Sequence, residues 1–102
     1  MIPQKTIEEL IEKHSSLEKD LSSGKIDKKL FAEKSKEYSD VNEIIDNARK
    51  YISFEKEKKE LEKILSDSLI EEELKKMAEL ELSELKIQHE LNEKKLKLFL
   101  LP

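Results

Sequence analysis

Two histidines, a run of three glutamates and a lone glycine are the residues whose types could carry chemistry, and their spacing argues against it. An imidazole can act as a general base or a metal ligand near neutral pH, but both roles need company. Helical metal sites present Glu-x-x-His or His-Glu-x-x-His; here Ile11 precedes His14 by three, and Lys86 precedes His89 by three. The carboxylates of Glu71-Glu72-Glu73 cannot converge on one ion, because successive helical side chains point about 100° apart. Their plainer role is negative charge at a helix N-terminus. Gly24, the only glycine, rules out a Gly-rich phosphate loop, and no Ser has a His at motif spacing. With no Cys there is no thiolate nucleophile, disulfide or zinc–thiolate site. The expectation is a chain that is not an enzyme and carries no catalytic, cofactor or metal site.

The totals narrow what is left. A chain of 102 residues with 36% hydrophobic and 43% charged side chains has room for one small domain and no large enclosed pocket. The net charge of −4 and a single arginine, Arg49, argue against duplex binding and sequence-specific DNA reading. A basic cluster at Lys25, Lys28, Lys29, Lys34 and Lys36 is interrupted by Glu33 and Glu37 and reads as a solvated helix face. No run approaches the ~20 apolar residues of a membrane span, and Met1 to Lys5 has no signal-like apolar core. A cytoplasmic protein with no membrane partner is expected.

Abundant Leu, Glu and Lys with one Gly and two Pro predict an all-α chain with few turns. The patterning divides residues 1–102 into one helical domain with helices over about 6–22, 28–66 and 69–101. Thr6 and Glu9 are spaced as a capping box for the first helix, whose apolar stripe is Ile7, Leu10, Ile11, Leu17 and Leu21, with His14 inside it. Gly24 supplies the left-handed turn that ends it. Asp27 reads as the N-cap of the second helix, whose stripe runs through Leu30, Phe31, Tyr38, Val41, Ile45, Ala48 and Ile52. Beyond Ser53 the stripe shifts to Phe54, Leu61, Ile64 and Leu65. A bend at Ser53 or a change of partner would explain the shift, and length favours the second: helix one covers only ~24 Å of a helix ~58 Å long.

After a turn at Ser66-Asp67-Ser68, with Ser68 and Glu71 spaced as another capping box, the third helix carries two apolar stripes. One holds Leu74, Ala78, Leu82, Leu85, His89, Leu96 and Phe99; the other holds Leu80, Ile87, Leu91 and Leu98. Folded back on helix two, its C-terminal half is expected opposite Leu30 to Ala48, where helix one also packs, so that both stripes find cover. The predicted architecture is an elongated three-helix bundle, built on a long antiparallel helical hairpin with the shorter N-terminal helix packed at its base. Its core centre is expected at Leu10, Leu17, Tyr38, Val41, Ile45, Leu85 and His89. The pairs Glu9/Lys13, Glu55/Lys59, Glu71/Lys75, Glu72/Lys76 and Glu90/Lys94 are spaced to support exposed helix faces.

At the far end of the hairpin two helices must cover each other alone. Phe54, Leu61, Leu65, Leu69 and Met77 are expected to stay exposed there, ringed by lysines that include Lys75 and Lys76. These seven residues are the candidate partner-contact surface. The apolar end Leu98-Phe99-Leu100-Leu101-Pro102 suits a chain that continues into a larger multidomain protein.

Phe31, Ser35-Lys36-Glu37-Tyr38, Tyr51, Met77-Ala78, Leu82-Ser83-Glu84-Leu85 and the terminal Leu98-Phe99-Leu100-Leu101-Pro102 resemble the N-terminal domain of bacterial class I peptide chain release factors. The leucine run before Pro102 looks most like the release-factor-one branch. The family's Gly-Gly-Gln hydrolysis motif and Pro-x-Thr codon-reading motif are absent, since the chain has one Gly and its only Thr, Thr6, lies three after Pro3. The resemblance implies an accessory helical domain of a translation termination factor. As partners it implies the ribosome at the large-subunit GTPase-associated region, the class II release factor GTPase, and the factor's remaining domains after Pro102. The alternative reading of the same residues is a stand-alone helical adaptor or coiled-coil interaction module.

Overall fold

A computed structural model describes residues 1–102 as three helices: α1 (Gln4–Ser22), α2 (Lys28–Leu65) and α3 (Glu72–Phe99). No strand is present, and the all-α reading stands. The particle measures 61 × 28 × 20 Å with a radius of gyration of 18.4 Å, against about 13 Å for a rounded domain of this length, so the bundle is elongated as expected.

The start of α1 differs from the sequence reading. The helix begins at Gln4 behind Pro3, with no side-chain cap, so the Thr6/Glu9 capping box does not form. The backbone N–H groups of Thr6 and Ile7 donate to the Pro3 carbonyl at 3.1 and 3.4 Å. What fixes this entry is a hydrophobic staple: Ile2, just before the cap, and Ile7, in the first turn, are both buried in one cluster. The Ile2 N–H also donates to the Tyr51 hydroxyl at 3.0 Å. At the other end Gly24 takes φ +69°, the left-handed turn the sequence calls for.

Asp27 caps α2, its carboxylate accepting from Lys29 N at 2.8 Å and Leu30 N at 3.4 Å. The helix then runs 38 residues without a break at Ser53, so the shift of stripe reflects a change of partner. The capping box expected at Ser68 and Glu71 is also absent. Asp67 Oδ1 instead accepts from Leu69 N at 2.9 Å, a side-chain turn that delays α3 to Glu72. Glu72 and Glu73 then place negative charge in the first turn of α3.

Both α1 and α3 pack on α2, and their backbones do not approach each other. Cross-helix pairs set the register: Asn47 Nδ2 donates to Asn92 Oδ1 at 2.9 Å, and Phe54 stacks on His89. Carried along, that register ends α3 level with about Val41, short of the first three turns of α2. The expected overlap with α1 from Leu30 to Ala48 is therefore mostly missing, and Leu30 and Phe31 remain half exposed.

The consequence falls on the second stripe of α3. Leu80, Ile87, Leu91 and Leu98 are 61%, 59%, 46% and 70% exposed, not covered by α1. The shared core lies at Ile2, Ile7, Leu10, Leu17, Val41, Ile44, Ala48 and Leu96, with Leu96 the contribution of α3. Ile45 is buried, and Tyr38 packs at the rim. Leu85 and His89 are half buried farther along the hairpin. None of the five predicted i,i+4 charge pairs closes. Of their lysines only Lys13 finds another partner, Glu37; the remaining lysine bridges are Lys34 to Asp20 and Lys97 to Glu93, the latter at 2.9 Å.

Candidate interaction surface

The histidines come first, because they alone carried titratable chemistry near neutral pH. His14 is buried against Tyr38, ring centroids 4.9 Å apart, with its Nε2 2.9 Å from Asn42 Oδ1. Its other ring nitrogen, Nδ1, lies 4.0 Å from Glu18 Oε2. His89 lies between Phe54 and Tyr51, at 3.7 and 4.8 Å, with its Nε2 3.9 Å from Glu93 Oε2. Its Nδ1 is buried without a hydrogen-bond partner. No group of three or more His, Asp or Glu side chains is arranged to hold a metal ion.

Glu93 joins the N-terminus to α3. Its carboxylate lies 3.2 Å from the Met1 ammonium and 2.9 Å from Lys97 Nζ. The hydrogen bond from Lys97, then that from the N-terminal ammonium, holds Glu93 below the usual carboxylate range, and Glu93 in turn raises Lys97. Asn92, also buried, accepts from Gln88 Nε2 at 3.2 Å as well as from Asn47. Nothing in the sequence singled out Asn92 as interior; only its place between Leu85, His89 and Leu96 on the packing face of α3 hints at it.

At the tip the predicted surface divides. Phe54 is buried by its stack on His89, with Lys58 Nζ 6.0 Å from its ring centre, so the expectation that it stays exposed is overturned. Leu61 and Leu65 are half buried in the α2/α3 seam. Leu69, at the apex of the turn, is 90% exposed and Met77 is 62% exposed, with Lys75 and Lys76 in solvent beside it. Between the helices a groove of about 800 Å³ opens along Leu61, Ile64, Ile70, Leu74, Met77 and Ala78, edged by Lys63, Asp67 and Glu81. Two helices alone can bury only one strip of each other, and this groove is one of the flanks left open; another of about 770 Å³ lies along Leu61, Ile64, Leu85 and Ile87. Ile64, Ile70 and Leu74 belong to the open surface although the tip reading did not include them. Along the outer side of α2, Lys56, Lys59 and Lys63 line a second, shallower recess with Glu60.

The tip surface is built mainly of apolar and lysine side chains. What it offers is a projecting apolar apex with lysines around it, 61 Å being the long dimension of the molecule that carries it.

Comparison with known proteins supplies the family. The PCRF domain model matches residues 10–102. The chain is 72% identical over 102 residues, all of its own length and 29% of the relative, to "Peptide chain release factor 1" of Pelagibacter ubique (strain HTCC1062). It is 35% identical over 95 residues, 91% of this chain and 27% of the relative, to the protein of the same name from Alkaliphilus oremlandii (strain OhILAs). A third, from Orientia tsutsugamushi (strain Boryong), is 37% identical over 76 residues, 74% of this chain and 21% of the relative. The chain thus spans less than a third of the length of these curated relatives. No solved structure matches it. No helix is long and apolar enough to cross a membrane. With the family model covering all but the first nine residues, and the match to the Pelagibacter relative over the whole chain falling in the N-terminal part of that relative, the chain belongs to the PCRF-domain family of bacterial peptide chain release factors.

Proposed function

We propose that this helical domain is the accessory N-terminal arm of a translation termination factor, helping its parent protein end protein synthesis at stop codons. The observation that carries the reading is the 72% identity to a release factor over every residue of the chain. In this reading the domain works in the cytoplasm and does no chemistry itself. Hydrolysis of peptidyl-tRNA and stop-codon reading belong to the remainder of the parent, in keeping with the lone Gly24 and the absence of a Pro-x-Thr tripeptide.

The arm's partners in this reading are the GTPase-associated region of the large ribosomal subunit or the class II factor GTPase, met through the tip of the hairpin. Leu69, Met77 and the open groove set residence time by apolar burial, while Lys75 and Lys76 steer the approach. Leu61 and Leu65 contribute as half-buried walls, and Phe54 only by holding the tip together.

The test uses the parent-length factor, comparing Lys75→Glu and Lys76→Glu with Lys5→Glu for ribosome affinity at two salt concentrations. Lys13 is no neutral control, because it bridges to Glu37. Weaker binding in the two tip variants alone, falling less steeply with salt than that of the Lys5→Glu control, supports the reading. Equal affinity in all three removes the tip from the binding surface.

A further inference from the structure

Along the outer face of α3 the exposed residues follow a heptad. Leu80, Ile87, Leu91 and Leu98 are spaced seven, four and seven apart, the 3.5-residue repeat of a coiled-coil seam, and all are about half or more exposed. The same repeat places Glu84 and Lys94 in the seam. The backbone of α1 does not approach α3, and α2 packs on the face that buries Ala78, Asn92 and Leu96, meeting the outer face only where Glu84 and Ile87 edge a groove with Glu57, Glu60, Leu61 and Ile64. A seam of this period fits a helix better than a sheet or an irregular loop, since only a helix offers holes at the matching spacing.

The order of charges selects which helix. We propose that two copies of this domain pair through this face, with their α3 helices antiparallel about a two-fold axis near His89. That operation sets Leu80 against Leu98, Ile87 against Leu91, and Glu84 against Lys94 of the second copy, each layer occurring twice as an isologous interface requires. On one flank Glu81 comes alongside Lys95 of the second copy. Glu81, Glu84, Lys94 and Lys95 are all exposed, and none has an ion-pair partner within its own chain. Parallel pairing would set Glu84 against Glu84 and Lys94 against Lys94, like charges inside an apolar seam. On the other flank of the antiparallel pair Glu90 approaches its own copy, so the association is a weak one that depends on concentration.

Analytical ultracentrifugation of the 102-residue chain over a wide concentration range tests the pairing, with circular dichroism confirming that the variants stay helical. The wild-type chain dimerises reversibly, and Leu98→Glu abolishes this. Glu84→Lys alone and Lys94→Glu alone each weaken the dimer about tenfold or more, because each sets like charges together in both layers. An equimolar mixture of the two variants restores association, since every layer of the mixed pair then joins Lys to Glu. A chain that stays monomeric at every concentration overturns the proposal, as do charge variants that dimerise like wild type or a mixture no tighter than its components.

Discussion

The imidazole of His89 lies face to face with the ring of Phe54, centroids 3.7 Å apart and planes 13° from parallel. This contact closes the two-helix part of the hairpin beyond the reach of α1 and keeps Phe54 from solvent. Removing the ring by Phe54→Ala should lower stability by about 3 kcal/mol, the lower end for a buried Phe because one side of the hairpin can relax inward. His89→Leu should be neutral or stabilising, since it removes a buried Nδ1 that has no partner while keeping the volume. Thermal unfolding of the two variants checks both; a large loss in His89→Leu would mean that the imidazole makes a polar contact the packing does not account for.

Leu96 and Leu98 are two residues apart on α3 and face different worlds. Leu96 is wholly buried in the core shared with α1 and α2, whereas Leu98 is 70% exposed. Leu96→Ala should cost about 2–5 kcal/mol through lost transfer energy and the cavity left behind. Leu98→Ala, measured dilute enough to keep the chain monomeric, should stay within about 0.5 kcal/mol of wild type. Denaturant titration separates them, and similar losses at both positions would contradict the assigned faces.

The pairing of Glu93 with Lys97 and the N-terminal ammonium gives stability a pH signature. A carboxyl held below its ordinary value of 4.5 contributes stability above that value and loses it as pH falls through the lowered one. Lys97, raised above 10.5, contributes below that value and loses it as pH climbs through the raised one. Glu93→Gln should therefore separate the variant and wild-type melting temperatures at neutral pH and let them draw together progressively as pH falls below 4.5. A gap that is constant from pH 3 to 7 would show the carboxylate charge to be irrelevant.

Much of the fold is legible in the residues. Gly24 and Asp27 mark the first turn by backbone freedom and capping, and the mismatch between a short α1 and a long α2 follows from where the apolar stripes stop. The start of α1 was hidden because Ile2 and Ile7 act through burial, while Thr6 and Glu9 offered a local pattern that burial overrode. The register of α3 was hidden for a deeper reason. It rests on Asn47–Asn92 and Phe54–His89, contacts between residues 45 and 35 positions apart that no periodicity within one helix encodes. A stripe such as Leu80 to Leu98 looks the same whether α1 covers it or solvent does. At the tip, Leu69 and Met77 were readable as exposed from the lack of a third helix. The burial of Phe54 was not, because it needs the same register.

In the proposed function the tip of the α2/α3 hairpin is the end that meets the ribosome. The chain has no cysteine of its own, so a single photo-crosslinker can be placed at Leu69→Cys at the tip or Lys25→Cys in the turn between α1 and α2, in the parent-length factor with any other cysteines replaced. On ribosomes stalled at a stop codon, crosslinks are expected from position 69 to the GTPase-associated region of the large subunit or to the class II factor, and none there from position 25. Crosslinks to that region from position 25, or none from position 69 while the factor is bound, would contradict it.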